Sequence, residues 1–179
     1  MSGRRLTMAT QPSIVESGSG QRVQIRLAAS VDAAQIASVL RESFIEYRAS
    51  YTPEGFAATT PTIEEVQSRM EEGPVWVTLL DGSVVGTVAA VERGEDLYVR
   101  GMAVLPAARG SGVGQLLLRE IEDYAATRGY RRLVLSTTPF LHSAIRLYER
   151  FGFLRSEEGA RDLKGTPLFT MVKNLRQAQ

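Results

Sequence analysis

One junction constrains this chain more than any other. A β-rich run, "LYVRGMAVL", passes through "PAARGSGVG" straight into "QLLLREIEDYA" (residues 97–125). A helix that begins this way leaves its first N–H groups unpaired and carries a partial positive charge at that end. Gly110, Gly112 and Gly114 let the backbone approach an anion with no Cβ in the way, so the loop suits a diphosphate or a similar group. Two common nucleotide loops are excluded by the residues after Gly114. A Walker A loop ends in Lys-Ser/Thr, where Gln115 and Leu116 stand. A dinucleotide fingerprint needs a third glycine at the place of Gln115 or Leu117, and an acid about 20 residues further on, where the chain reads "RRLVLSTT".

The rest of the composition narrows the field. With 179 residues the chain suits one domain. A net charge of +1 gives no electrostatic case for nucleic acid or an anionic membrane surface. Without cysteine there are no disulfides, thiol nucleophiles or thiolate metal sites. His142 is the only histidine, so no multi-histidine metal site forms and the expected metal content is none. No apolar run approaches the roughly 20 residues of a membrane span. Arg4 and Arg5 have no apolar block behind them, so a cytoplasmic location is expected.

Along the chain, residues 1–21 read as a flexible tail, 22–175 as the domain and 176–179 as a short C-terminal tail. "RVQIRLA" alternates as a strand, and a helix follows from about Ser30 with Ile36, Val39, Leu40 and Phe44 at helical spacing. The long link "IEYRASYTPEGFAATTP" reads as a binding loop or lid. "TIEE" (Thr62 to Glu65) fits a capping box for a helix ending at Gly73. Asp81-Gly82 between two β-rich runs marks a hairpin, and Gly101 in the next strand marks a bulge or a close backbone approach. After the glycine loop and its helix come a strand, the short helix "HSAIRLYERFG", and closing strands in "FLRSEE" and "PLFTMVKNL". The expected order is β-α-α-β-β-β-α-β-α-β-β, an α/β protein with a mixed (α+β) sheet.

Val104-Leu105-Pro106, then Arg109 to Leu118 with Arg109, Gly112 and Gly114 in the pattern R-x-x-G-x-G, then "AIRLYERFGF" from Ala144 to Phe153, resemble the GNAT family of N-acetyltransferases. The resemblance covers about residues 22–175 and implies the GNAT acyl-CoA N-acyltransferase fold. It implies acetyl-CoA as cosubstrate, with its pyrophosphate on the backbone amides of Arg109, Gly110, Ser111, Gly112, Val113 and Gly114. It also implies a splayed strand whose Met102 and Val104 pair with the pantetheine arm. Transfer to a primary amine would then be a direct attack on the thioester, which needs no covalent enzyme intermediate. Tyr148 matches the tyrosine that serves as general acid to the departing thiolate; packing is the other use of that helix position.

Two departures from the family pattern stand out. Relatives carry a glutamate on the strand before the loop, where this chain has "YVR" (Tyr98 to Arg100); Glu46, Glu95 and Asp96 are only remote substitutes, and the base stays unassigned. Relatives also carry an asparagine where Leu141 stands, with His142 and Ser143 as polar neighbours. A Ser-His-Asp hydrolase on His142 lacks a nucleophile elbow. The acceptor would be a small-molecule or peptide amine, held by the aromatic link around Phe44, Tyr47, Tyr51 and Phe56, with Arg48 suited to a carboxylate or phosphate. Closing strands that pair between subunits would make a homodimer. The alternative function is a noncatalytic acyl-CoA sensor on the same fold.

Overall fold

Asp81 and Gly82 both adopt positive φ, 49° and 84°, the two-residue primed turn whose twist suits a hairpin. They fold β3 (Val75–Leu80) back onto β4 (Ser83–Arg93), and Gly94 turns β4 into β5 (Asp96–Val104). The computed structural model describes residues 13–16, 22–157 and 161–175. On the other side of β3 lies β2 (Arg22–Leu27), and β1 (Ser13–Glu16) pairs antiparallel with β2. Four residues of the expected flexible tail thus form an edge strand; the β-branched pair Ile14-Val15 is the local signal for it. The remainder of that tail and residues 176–179 lie outside the described residues.

β6 (Arg132–Thr137) follows a crossover and lies parallel to β5; β9 (Thr166–Asn174) pairs with its other edge, and β7 (Leu154–Arg155) pairs with the far side of β9. Among the described residues the order is β1-β2-β3-β4-β5-β6-β9-β7, and β5–β6 is the parallel pair in this mostly antiparallel sheet. The strand expected in "FLRSEE" shrinks to Leu154–Arg155. A further short strand, β8 (Arg161–Leu163), hairpins onto β9 through Lys164 and Gly165, both at positive φ.

Helices cover both faces. α1 (Ala33–Phe44) buries Ile36, Val39 and Leu40 on one side. α3 (Ile63–Glu72) joins it there, opened by the capping box: Glu65 N–H donates to Thr62 Oγ1 (3.3 Å), and Thr62 N–H donates to Glu65 Oε2 (2.7 Å). On the opposite face α4 (Val113–Thr127) packs Leu117, Leu118 and Ile121 against Trp76, Val88, Leu97 and Leu133, with Tyr148 and Phe153 from α5 (His142–Arg150) and its exit. Each such buried side chain contributes about 1.5–3 kcal/mol. The long link is not a bare loop. It holds α2 (Pro53–Thr59), capped by Thr52 Oγ1, which accepts from Gly55 N–H at 3.0 Å, with Pro53 in the first turn. A Cβ on Gly55 would lie 2.4 Å from Thr166 Oγ1, so the glycine lets α2 sit down on β9.

Asp32 secures the entry to α1. Its carboxylate accepts from Arg26 Nη1 (2.7 Å), Arg26 Nη2 (3.0 Å) and Ala29 N–H (2.7 Å), with the side chain only 5% exposed. The hydrogen bond from Arg26 holds its pKa below the usual carboxylate range. A depressed folded pKa means the stabilisation is present above the unfolded value, near 3.9, and is lost as pH falls through the folded one. Asp32→Asn should cost about 2 kcal/mol in urea unfolding at neutral pH, with the gap to wild type narrowing once pH falls below the unfolded value, near 3.9. An equal gap at both pH values would overturn this account.

Candidate active site

β5 and β6 pair only where Asp96–Val99 face Arg132–Leu135. Beyond Val99, β5 stays on β4 and parts from β6. The cause lies in the ladder to β4: Ala89 faces Arg100, yet Thr87 faces Ala103, so β5 carries one extra residue there. Gly101 sits in that bulge at φ 58°, a conformation a glycine takes without a Cβ penalty, and the bulge bends the strand. The bulge expected at Gly101 is therefore present. A cavity of about 1070 Å³ opens along the split, lined by Gly101 to Val104 on one side and Leu135 to Thr138 on the other. Met102 and Val104 both line it.

The glycine loop closes one end of this cavity. Gly110 and Gly112 take φ of 79° and 85°, and Gly112 is the N-cap of α4 with no side chain capping it. Among the described residues, the N–H groups of Gly110, Ser111 and Gly112 find no backbone acceptor; the first closing bond is Leu116 N–H to Gly112 O at 3.0 Å. The remaining loop residues have separate tasks. Arg109 N–H already donates to Pro106 O (3.3 Å). Its side chain braces the loop: Nη1 pairs with Glu46, Nη2 donates to Ser43 O (3.0 Å) and Nε to Val104 O (3.3 Å). Ser111 Oγ donates to Ala108 O, and Val113 is buried beneath the turn. A Cβ on Gly114 would lie 2.8 Å from Leu147 Cδ2, so this glycine lets α5 pack onto α4.

Tyr148 lines the cavity from α5, 8% exposed, its ring edge-on to Phe153 at 5.9 Å. Burial, with smaller effects from Tyr51 and Tyr98, pushes its phenol well above the ordinary tyrosine range. Tyr51 is also buried; its hydroxyl lies near Thr138 and Thr59, and burial raises its pKa too. Leu141 and Ser143 line the cavity, whereas His142 is an exposed first residue of α5.

The charge of the lining is one-sided. No aspartate or glutamate is among the described lining residues, while Arg69, Arg100, Arg109 and Arg150 all are. The carboxylates considered as bases are engaged elsewhere: Glu46 with Arg109, Glu95 with Arg131 (3.2 Å) and Asp96 with Arg132 (2.6 Å). Arg48, the cation expected to meet the acceptor, lies instead over the Phe56 ring at 5.4 Å and is not in the lining. Arg69 and Arg100 do line it, and sequence reasoning singled out neither as a site residue.

The strand split, the loop and the order of elements agree with a match to the model of the Acetyltransferase (GNAT) family over residues 36–153. The chain belongs to the GNAT family. Within it, this GNAT chain is 40% identical over 85 residues to an N-acetylaspartate synthetase of Danio rerio, across 46% of the chain but 30% of that relative's length. It is 34% identical over 124 residues to YjgM of Escherichia coli, an uncharacterized N-acetyltransferase, covering 66% of the chain and 74% of the relative. Among solved structures, the PaiA N-acetyltransferase of Thermoplasma acidophilum, in complex with coenzyme A, superposes with a TM-score of 0.70 at 17% identity. That superposition covers 85% of the GNAT chain and 98% of the PaiA chain, and it shows the shared fold. Among the described residues, no helix of the GNAT chain is long and apolar enough to cross a membrane.

Proposed function

We propose that this GNAT chain transfers an acetyl group from acetyl-CoA to a primary amine by direct attack. The observation that carries the reading is the split between β5 and β6, with unpaired loop amides at one end and Tyr148 beside it. The pyrophosphate would sit on the amides from Gly110 to Gly114, helped by the positive end of α4. The pantetheine arm would run beside Met102 and Val104. Arg109, whose amide is already engaged, braces the cradle through its side chain. The names of relatives support the class: an N-acetylaspartate synthetase and an N-acetyltransferase match in sequence, and a coenzyme A complex matches in fold.

Alignment of donor and amine supplies much of the rate. The amine must reach the thioester neutral, since a lysine-like ammonium has a pKa near 10.4. With no carboxylate in the described lining, that proton leaves through water. Burial keeps the Tyr148 phenol neutral, and a neutral phenol donates a hydrogen bond. A departing thiolate, from a thiol of pKa near 8.5, is a weaker base than the tyrosinate. Tyr148 therefore acts mainly by holding the developing negative charge on sulfur. Release of free thiol from acetyl-CoA, followed across a panel of amines, tests the reading. Tight acetyl-CoA binding with turnover no faster than hydrolysis on every amine would replace it with the sensor alternative.

A further inference from the structure

We propose that the acceptor amine carries a carboxylate of its own, as an amino acid does, and that Arg100, backed by Arg69, binds that carboxylate. The inference rests on the acetyl-transfer reading and names the substrate class for the same cavity.

Arg100 stands one residue before the Gly101 bulge, where β5 leaves β6, and it lines the cavity. Its Nη1 is anchored to Glu72 Oε2 at 2.9 Å. Its Nε and Nη2 are buried with no hydrogen-bond partner. Buried donors on a charged group are costly to leave unpaired. Those two nitrogens form one edge of the guanidinium, the fork that donates to both oxygens of a carboxylate side-on once the side chain turns that sealed edge toward the cavity. Arg132 uses the same edge on Asp96, with Nε to Oδ1 at 2.8 Å and Nη2 to Oδ2 at 2.6 Å. In Arg100 the corresponding edge meets no acceptor.

A second guanidinium reinforces the first. Arg69 lies three residues before Glu72 on α3, so both project from one side of the helix. Arg69 Nη2 donates to Ala58 O at 2.9 Å, which fixes the side chain at the cavity wall. Burial first, and the nearby charge of Arg100 second, push its pKa down. Arg100 pairs with Glu72, Arg69 feels both Glu65 and Glu72, and no acid lines the cavity itself among the described residues. An acceptor with an additional positive charge would be repelled here, whereas one with a negative charge completes the pairing. Tyr47 and Tyr51 line the same cavity.

The test compares amino acids with amines of the same skeleton whose carboxylate is an amide, with phosphoethanolamine as a third arm. Wild type should use the acids at least about 10-fold better in kcat/KM than the amides. Arg100→Gln should raise KM for the acids about 10- to 100-fold, erase the preference, and leave acetyl-CoA affinity within about twofold. Arg69→Gln should do the same to a smaller degree, and it carries the test if the Arg100 variant does not fold. Equal or better turnover of the carboxylate-free amines by wild type would overturn the proposal. So would a preference that survives both substitutions, or one for phosphoethanolamine. If wild type releases no thiol with any amine, the acetyl-transfer reading fails instead. Calorimetric titration of wild type with aspartate, glutamate and their amides then decides the carboxylate site alone: binding of the acids and not of the amides supports it, and the reverse overturns it.

Discussion

Tyr148→Phe is expected to lower kcat by about 100- to 1000-fold, the range seen when one preorganised donor to a developing anion is removed. Acetyl-CoA affinity should stay within about threefold, because the ring keeps its packing on Phe153 and only the hydroxyl is lost. The pH profile sharpens the test. Since burial holds the phenol neutral, the wild-type rate should rise with pH as the acceptor ammonium loses its proton, with no fall from Tyr148 ionising below about pH 10. The variant should show the same rising limb at a lower level. Full activity in Tyr148→Phe, measured as thiol release at saturating amine, would leave the residue as a packing tyrosine.

Gly112→Val should weaken acetyl-CoA binding by about 100-fold with cooperative unfolding preserved. At φ 85° a β-branched residue is strained by about 1–3 kcal/mol, and relief of that strain should turn the loop amides away from the proposed phosphate position. Nothing lies within 4 Å of a Cβ built there, so the fold itself has room for the side chain. Gly114→Val makes the contrast. Its new atoms meet Leu147 at 2.8 Å, so the damage falls on the α4–α5 packing and on stability. Isothermal titration separates the two. A Gly112 variant that binds acetyl-CoA within about threefold of wild type would remove the loop from the donor site.

The parts of this molecule that sequence makes legible are those written in consecutive residues. Asp81-Gly82 could turn only one way, Thr62 and Glu65 cap the helix their spacing predicts, and the glycine loop opens α4. α2 is written just as locally, in Thr52 and Pro53, but it sits inside a run that reads as a lid. The arginine pair in the cavity lining is harder. Arg69 lies on a helix and Arg100 on a strand, and nothing in either stretch says that they meet or that two donors of Arg100 end up buried. In sequence, "YVR" reads only as a missing glutamate. In three dimensions the same position supplies a charge of opposite sign, which changes what the cavity can attract. Arg48 stays out of the lining for the converse reason: a cation beside aromatics in sequence finds an aromatic ring to lie on.

Most unpaired strand edges lie at a sheet's outer margin, where any other polypeptide can add itself. Here the open edge of β5 lies in the middle of the sheet, with β4 on one flank and β6 across the gap. Part of the backbone of β5 is thus left off the ladder without adding an outer edge to the sheet, the position that other proteins guard with charged residues and prolines.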